Sequence, residues 1–145
     1  MAKVLYTAQA TVTGGRAEGH GATSDGALEV DLRIPADLGG PGGGTNPEQL
    51  FAVGYASCFE SAIQTVARRM KVEADDVSVD SKVELSPTSE GGFGLSVALD
   101  VTLPSIDDAD QAAELVGKAH KVCPYSNATR GNIEVRLTAN GADVG

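Results

Sequence analysis

Hydrophobic and polar positions alternate along much of this chain. Val4, Tyr6, Ala8, Ala10 and Val12 fall at every second residue among mostly polar neighbours, which predicts a strand with one buried face. Gly14-Gly15 marks the turn that follows. After an Asp25-Gly26 turn, Leu28, Val30, Leu32 and Ile34 repeat the pattern against Glu29, Asp31 and Arg33, and Pro35 stops it. The N-terminal third therefore reads as antiparallel β, with Arg16 and His20 near its first turn. Residues 39–44, Gly-Gly-Pro-Gly-Gly-Gly, have neither a basic neighbour nor the G-x-x-x-x-G-K-[ST] spacing of a phosphate cradle, and read as a flexible connector.

The period changes at Asn46. Asn as N-cap, Pro47 at the first helical position, Glu48 at the positive end of the dipole and Gln49 at the capping-box position predict a helix from here to about Met70. Leu50, Phe51, Gly54, Tyr55, Cys58, Ala62, Val66 and Met70 step by three or four, while Ala52, Val53, Ala56 and Phe59 fill its other faces. A helix apolar nearly all round is buried from several sides, and a second subunit covering part of it is the expectation. Two more alternating runs follow, Val77 to Leu85 and Phe93 to Leu103, with Glu90-Gly91-Gly92 turning between them. Pro104 closes the second run. Asp107 is placed to cap a second helix that reaches Val122, with Asp108 and Asp110 in its first turn, and the Cys123-Pro124 step ends it. Tyr125 to Asn132 reads as a polar loop, and Ile133, Val135 and Leu137 as a last strand. Strands, a long buried helix, a hairpin, a second helix and a strand make an α+β class, expected to be one domain over residues 1–145.

Composition narrows the possible partners. The 11 basic residues against 20 acidic ones give a net charge of -9, and Lys and Arg form no stripe that could track phosphates, so nucleic acid is not expected as a partner. No stretch reaches the roughly 20 apolar residues of a membrane span, and the chain starts directly on the first alternation without a signal-like segment. Neither a membrane partner nor export is expected, and the expected location is the cytoplasm.

The chain contains 2 cysteines. In a reducing compartment a structural disulfide explains them poorly, which directs attention to redox or catalytic use, although free Cys also serves as a small buried hydrophobe. Cys58 lies in the long helix, with Gly54 one turn before and Ala62 one turn after, so small neighbours leave space beside its sulfur. Apolar surroundings alone would raise its pKa. Ionising it at neutral pH needs a shift of about two units, or roughly 2.7 kcal/mol, which a guanidinium in a partly dry pocket can supply. Arg16, Arg68, Arg69 and Arg130 are the candidates, and Arg68 and Arg69 in the helix's last turns read as surface residues. Glu48, about 15 Å before Cys58 along a straight helix, cannot touch the sulfur but could hold an arginine by a bidentate pair, or could simply favour the helix dipole. Cys123, at a helix C-terminus beside Pro124, sits on a connection more mobile than a helix interior. His20 and His120 could join the cysteines in a metal site or a Cys-His dyad, but only His120 and Cys123 stand at a suitable spacing, so no metal is expected.

Taken together, Thr45-Asn46-Pro47-Glu48-Gln49-Leu50-Phe51, Gly54-Tyr55-Ala56-Ser57-Cys58-Phe59 and Val122-Cys123-Pro124-Tyr125-Ser126-Asn127-Ala128-Thr129-Arg130-Gly131-Asn132 resemble the organic hydroperoxide resistance proteins of the OsmC-like superfamily. Leu5-Tyr6-Thr7-Ala8 and Thr13-Gly14-Gly15-Arg16 extend the resemblance to the front of the chain. It implies an OsmC-like fold: an intertwined α+β homodimer with antiparallel sheets around long buried central helices. It also implies thiol peroxidase activity on organic hydroperoxides. Position by position, Cys58 matches the peroxidatic cysteine, Cys123 the resolving cysteine, Arg16 the arginine that stabilises thiolate and peroxide, and Glu48 the acid that orients that arginine. Ser57 and Glu60 differ from the small or apolar residues expected beside the reactive cysteine. The implied reductant is a lipoylated protein or dihydrolipoamide, and no cofactor is implied. A non-enzymatic lipid-binding dimer with sensor cysteines, and an OsmC-type stress protein with broader peroxide use, are the competing readings.

Overall fold

A computed structural model describes residues 2–145. They group into two compact units, one reaching to Leu50 and the other running from Phe51 to Gly145.

In the first unit, β1 (Ala10–Thr13), β2 (Gly19–Thr23) and β3 (Glu29–Leu32) form an antiparallel sheet in that order. The first strand is shorter than its alternation predicts. Residues 4–9 lie outside any ladder, and Val4, Leu5 and Tyr6 are exposed, because apolar alternation makes a strand only where a neighbour completes its hydrogen bonds. The turn after β1 requires glycine: Gly14 has φ +78°, and a Cβ there would stand 2.3 Å from the Glu18 carbonyl oxygen. Beyond β3, a short 3₁₀ turn over Ala36–Leu38 precedes the Gly-rich connector. The connector closes on itself, because the Thr45 N–H donates to Asp31 O at 2.9 Å while the Thr45 carbonyl accepts from Arg33 N–H at 3.0 Å. The start of the long helix is thereby tied to β3.

That helix, α1, spans Pro47–Met70. Asn46 caps it, its Oδ1 accepting the Gln49 N–H at 2.8 Å. The reciprocal half of the expected box is replaced: Gln49 Oε1 accepts the Thr45 hydroxyl at 2.7 Å.

The second unit carries β4 (Ser78–Pro87), β5 (Phe93–Thr102), α2 (Ala109–Val122), α3 (Pro124–Thr129), β6 (Val135–Ala139) and β7 (Ala142–Val144). Its sheet has the order β4-β5-β6-β7, antiparallel except for the parallel β5–β6 pair. A parallel neighbour needs a long crossover, and α2 with α3 provides it. Tyr55, Phe59 and Ile63 of α1, Leu99 of β5 and Leu115 and Val116 of α2 are fully buried together, each large side chain contributing about 1.5–3 kcal/mol.

Three further details depart from the sequence pattern. The cap of α2 is Asp108, not Asp107, its carboxylate accepting from the N–H groups of Asp110 and Gln111 at 2.9 and 3.1 Å. Most of the predicted polar loop 125–132 is α3, since Pro124 suits a first helical position and the Asn127 N–H closes on Cys123 O at 3.0 Å. The last strand begins at Val135, later than Ile133, and the positive φ of Asn140 and Gly141 turns the chain into the unanticipated β7. Within a single chain α1 buries one face, Tyr55, Phe59, Ala62, Ile63, Val66 and Ala67, while Val53 is 71% exposed. No helix among the described residues is long and apolar enough to cross a membrane.

Candidate active site

Cys58 lies at the middle of α1, half-buried, and Cys123 flanks the junction of α2 and α3, fully buried; both are free thiols. They adjoin. Cys123 is close enough to the Cys58 sulfur to disfavour its charged form. The α2–α3 junction produces this placement: Pro124 cannot continue α2, so the chain turns at Cys123, whose φ and ψ are extended, and starts α3 at once.

Three influences set the acidity of Cys58. Burial is the largest and pushes the thiol up; the backbone N–H of Tyr125, which faces the sulfur, pulls it down; and the Cys123 thiol pushes it up again. The result lies above the ordinary thiol value, so these residues by themselves keep Cys58 protonated. A nearby cation is the ingredient that reactivity at neutral pH requires.

The first unit holds an arginine in a prepared geometry. Arg16, after the glycine turn, grips Glu48 in the first turn of α1 with both nitrogens, NH1 to Oε1 at 2.8 Å and NH2 to Oε2 at 3.3 Å. The fork fixes the plane of the guanidinium while its remaining N–H groups stay free to donate. Glu48 has a side chain 17% exposed and Arg16 one 43% exposed, so the acid is the fixed member of the pair.

The other candidates separate from this chemistry. Arg68 and Arg69 are exposed at the end of α1. Arg130 donates to His120 O at 2.8 Å and to Asn127 Oδ1, tying α3 back to α2. His20 sits on β2 with Asp31 at 2.9 Å and Glu29 at 2.8 Å, one on each ring nitrogen. His120 titrates below its ordinary value because of burial and, secondarily, the Arg130 charge. Among the described residues no group of three or more His, Cys, Asp or Glu side chains is arranged to hold a metal ion. Ser57 turns its hydroxyl back to Gly54 O at 3.0 Å, and Glu60 accepts from Gln64 at 3.3 Å.

Sequence reasoning did not single out Tyr125 or Tyr55. The Tyr125 ring packs against Phe51 and Tyr55 of α1, with centroids 5.8 and 5.6 Å apart, and its hydroxyl reaches Gly54. Small residues at Gly54 and the i, i+4 spacing to Cys58 were visible signals that something occupies that face.

The family model described as OsmC-like protein matches residues 40–138. The organic hydroperoxide resistance protein of Xanthomonas axonopodis pv. citri (strain 306) is 56% identical over 138 residues, covering 94% of this chain and 95% of its own. A crystal structure of an organic hydroperoxide resistance protein from Legionella pneumophila is 55% identical with a TM-score of 0.88, covering 93% of this chain and 97% of that one. Another, from Vibrio cholerae O1 biovar eltor and described with captopril in one of its active sites, is 47% identical with a TM-score of 0.93, covering 98% and 96%.

Proposed function

The chain belongs to the OsmC-like protein family and has that family's α+β fold, and from this premise we propose that it is a cysteine-based peroxidase that reduces organic hydroperoxides and protects against oxidative stress. The adjoining thiols of Cys58 and Cys123 carry the reading, because a reactive sulfur needs a second thiol within reach to leave as a disulfide rather than over-oxidise.

In this scheme the Cys58 thiolate attacks the distal oxygen of the hydroperoxide. The S–O bond forms as the O–O bond breaks, the alkoxide takes a proton and departs as an alcohol, and Cys58 is left as a sulfenic acid. Cys123 then attacks the Cys58 sulfur; the S–S bond forms, the S–O bond breaks, and the hydroxyl leaves with a proton as water. A dithiol reopens the disulfide by two exchange steps, so hydroperoxide and dithiol become alcohol, water and oxidised dithiol. Arg16, aimed by Glu48, supplies the positive charge that lowers the Cys58 pKa and polarises the peroxide. Dihydrolipoamide or a lipoylated protein is the proposed reductant, without a metal or other cofactor, and the cytoplasm the proposed location.

A second copy of the chain is the proposed partner. Val4, Leu5 and Tyr6 in one unit and Val53 and Phe93 in the other are exposed, which is more large apolar side chain than a lone chain needs to leave in water. A homodimer covering them gives α1 the all-round burial that its sequence pattern calls for.

A coupled assay tests the activity. Catalytic amounts of protein with tert-butyl hydroperoxide and dihydrolipoamide should oxidise many equivalents of dithiol per chain, faster than with hydrogen peroxide. Oxidation that stops after one equivalent would leave a sensor, not an enzyme.

A further inference from the structure

Three hydroxyls form a closed buried network beside the two cysteines. The Tyr55 hydroxyl lies 2.8 Å from Ser126 Oγ and 3.0 Å from Thr129 Oγ1, and Thr129 donates to the Ser126 carbonyl at 3.3 Å. When Thr129 spends its one proton on that carbonyl, Tyr55 donates to Thr129 and Ser126 donates to Tyr55. Every hydroxyl proton then has an acceptor, with Tyr55 and Ser126 fully buried and Thr129 6% exposed.

The members flank the chemistry on both sides. Tyr55 precedes Cys58 by three residues on α1. Ser126 and Thr129 belong to α3, the short helix that begins next to Cys123 and whose Tyr125 backbone N–H faces the Cys58 sulfur. The aromatic contacts of Tyr55 and Tyr125 hold α3 against α1, but rings can slide; hydrogen bonds of fixed length set the register.

We propose that Tyr55 is a positioning residue, whose hydroxyl locks α3 onto α1 and thereby sets both how the Tyr125 N–H faces the Cys58 sulfur and how Cys123 approaches it. This rests on the peroxidase reading of the two cysteines and adds a residue to it. Tyr55→Phe keeps the ring packing, removes the donor to Thr129 and leaves the Ser126 proton without its acceptor. The N–H at Cys58 then loosens, so the thiol titrates higher, and Cys123 meets the sulfenic acid in fewer productive arrangements, so the disulfide forms more slowly.

Two readouts test this on Tyr55→Phe: the 240 nm thiolate titration of Cys58, measured in a Cys123→Ser background, and single-turnover kinetics that resolve sulfenic acid formation from disulfide formation. The expected result is a midpoint raised by about half a pH unit and disulfide formation slowed about tenfold, with one peroxide equivalent still consumed. Ser126→Ala should shift both in the same direction by less, and serves if Tyr55→Phe folds poorly. A titration midpoint and disulfide rate both unchanged within twofold would overturn the proposal. If the unsubstituted chain forms no disulfide, the peroxidase reading fails instead, and the titration alone decides whether Tyr55 positions the N–H.

Discussion

A Cβ placed on Gly54 would stand 2.8 Å from the Tyr125 hydroxyl oxygen and 3.3 Å from its Cζ, so the aromatic ring that follows Cys123-Pro124 rests directly on α1 one turn before Cys58. Gly54→Ala forces that ring aside. The obstacle is the far end of a side chain and alanine favours helix by up to about 1 kcal/mol, so stability should change by no more than about that amount. The near-UV circular dichroism of the Phe51, Tyr55 and Tyr125 cluster should change while the melting temperature barely moves.

The Arg16–Glu48 fork predicts a separation of activity from stability. The pair is partly exposed, so Glu48→Gln should cost no more than about 1 kcal/mol in urea denaturation. The same substitution releases the guanidinium from its fixed plane and should lower kcat/KM for tert-butyl hydroperoxide about tenfold or more, with Arg16→Lys similar because it keeps the charge but loses the fork.

His20 should titrate above its ordinary value of about 6.5, held up first by the hydrogen bond to Asp31 and then by that to Glu29. Asp31 is correspondingly held low, with His20 the main cause. Because the folded pKa is raised, the stabilisation is present below the unfolded value and is lost as pH rises through the folded one. Nuclear magnetic resonance titration of His20 should show the raised midpoint, and His20→Gln should lose melting temperature relative to the unsubstituted chain at pH 5.5 but not at pH 8.5.

Two apolar residues of α1 should respond differently. Phe59 is fully buried within the chain and Val53 is 71% exposed. Phe59→Ala should cost about 3–5 kcal/mol. Val53→Asp should leave the fold of each chain intact yet weaken the proposed homodimer, so sedimentation should show more monomer at low concentration. An unchanged association would mean that this face is not covered.

Much of this architecture was legible because local signals agreed with tertiary ones. Asn46-Pro47 announces the start of α1, and the alternation from Phe93 to Leu103 announces β5 nearly to the residue. The misses were places where a remote partner decides. Val4 to Ala8 alternate as a strand does, but alternation cannot say whether a ladder partner exists. The six residues of α3 are too few to show a period, and the hydroxyls that mark it as a loop in sequence are the groups that bind Tyr55 across separations of 71 and 74 residues. Cys58, Cys123, Arg16 and Glu48 stood out by residue type and by resemblance. Tyr55 and the backbone of Tyr125 did not, since an aromatic on a buried helix ordinarily reads as core and a backbone N–H has no sequence signature.

Stopped-flow mixing of the fully reduced protein with one equivalent of tert-butyl hydroperoxide, quenched and read by intact mass and peptide mapping, tests the central claim most directly. The account predicts rapid loss of two hydrogens per chain and a Cys58–Cys123 disulfide, with no such loss in Cys58→Ser. An unchanged mass, or oxidation that leaves Cys58 unpaired beside a reduced Cys123, would contradict it.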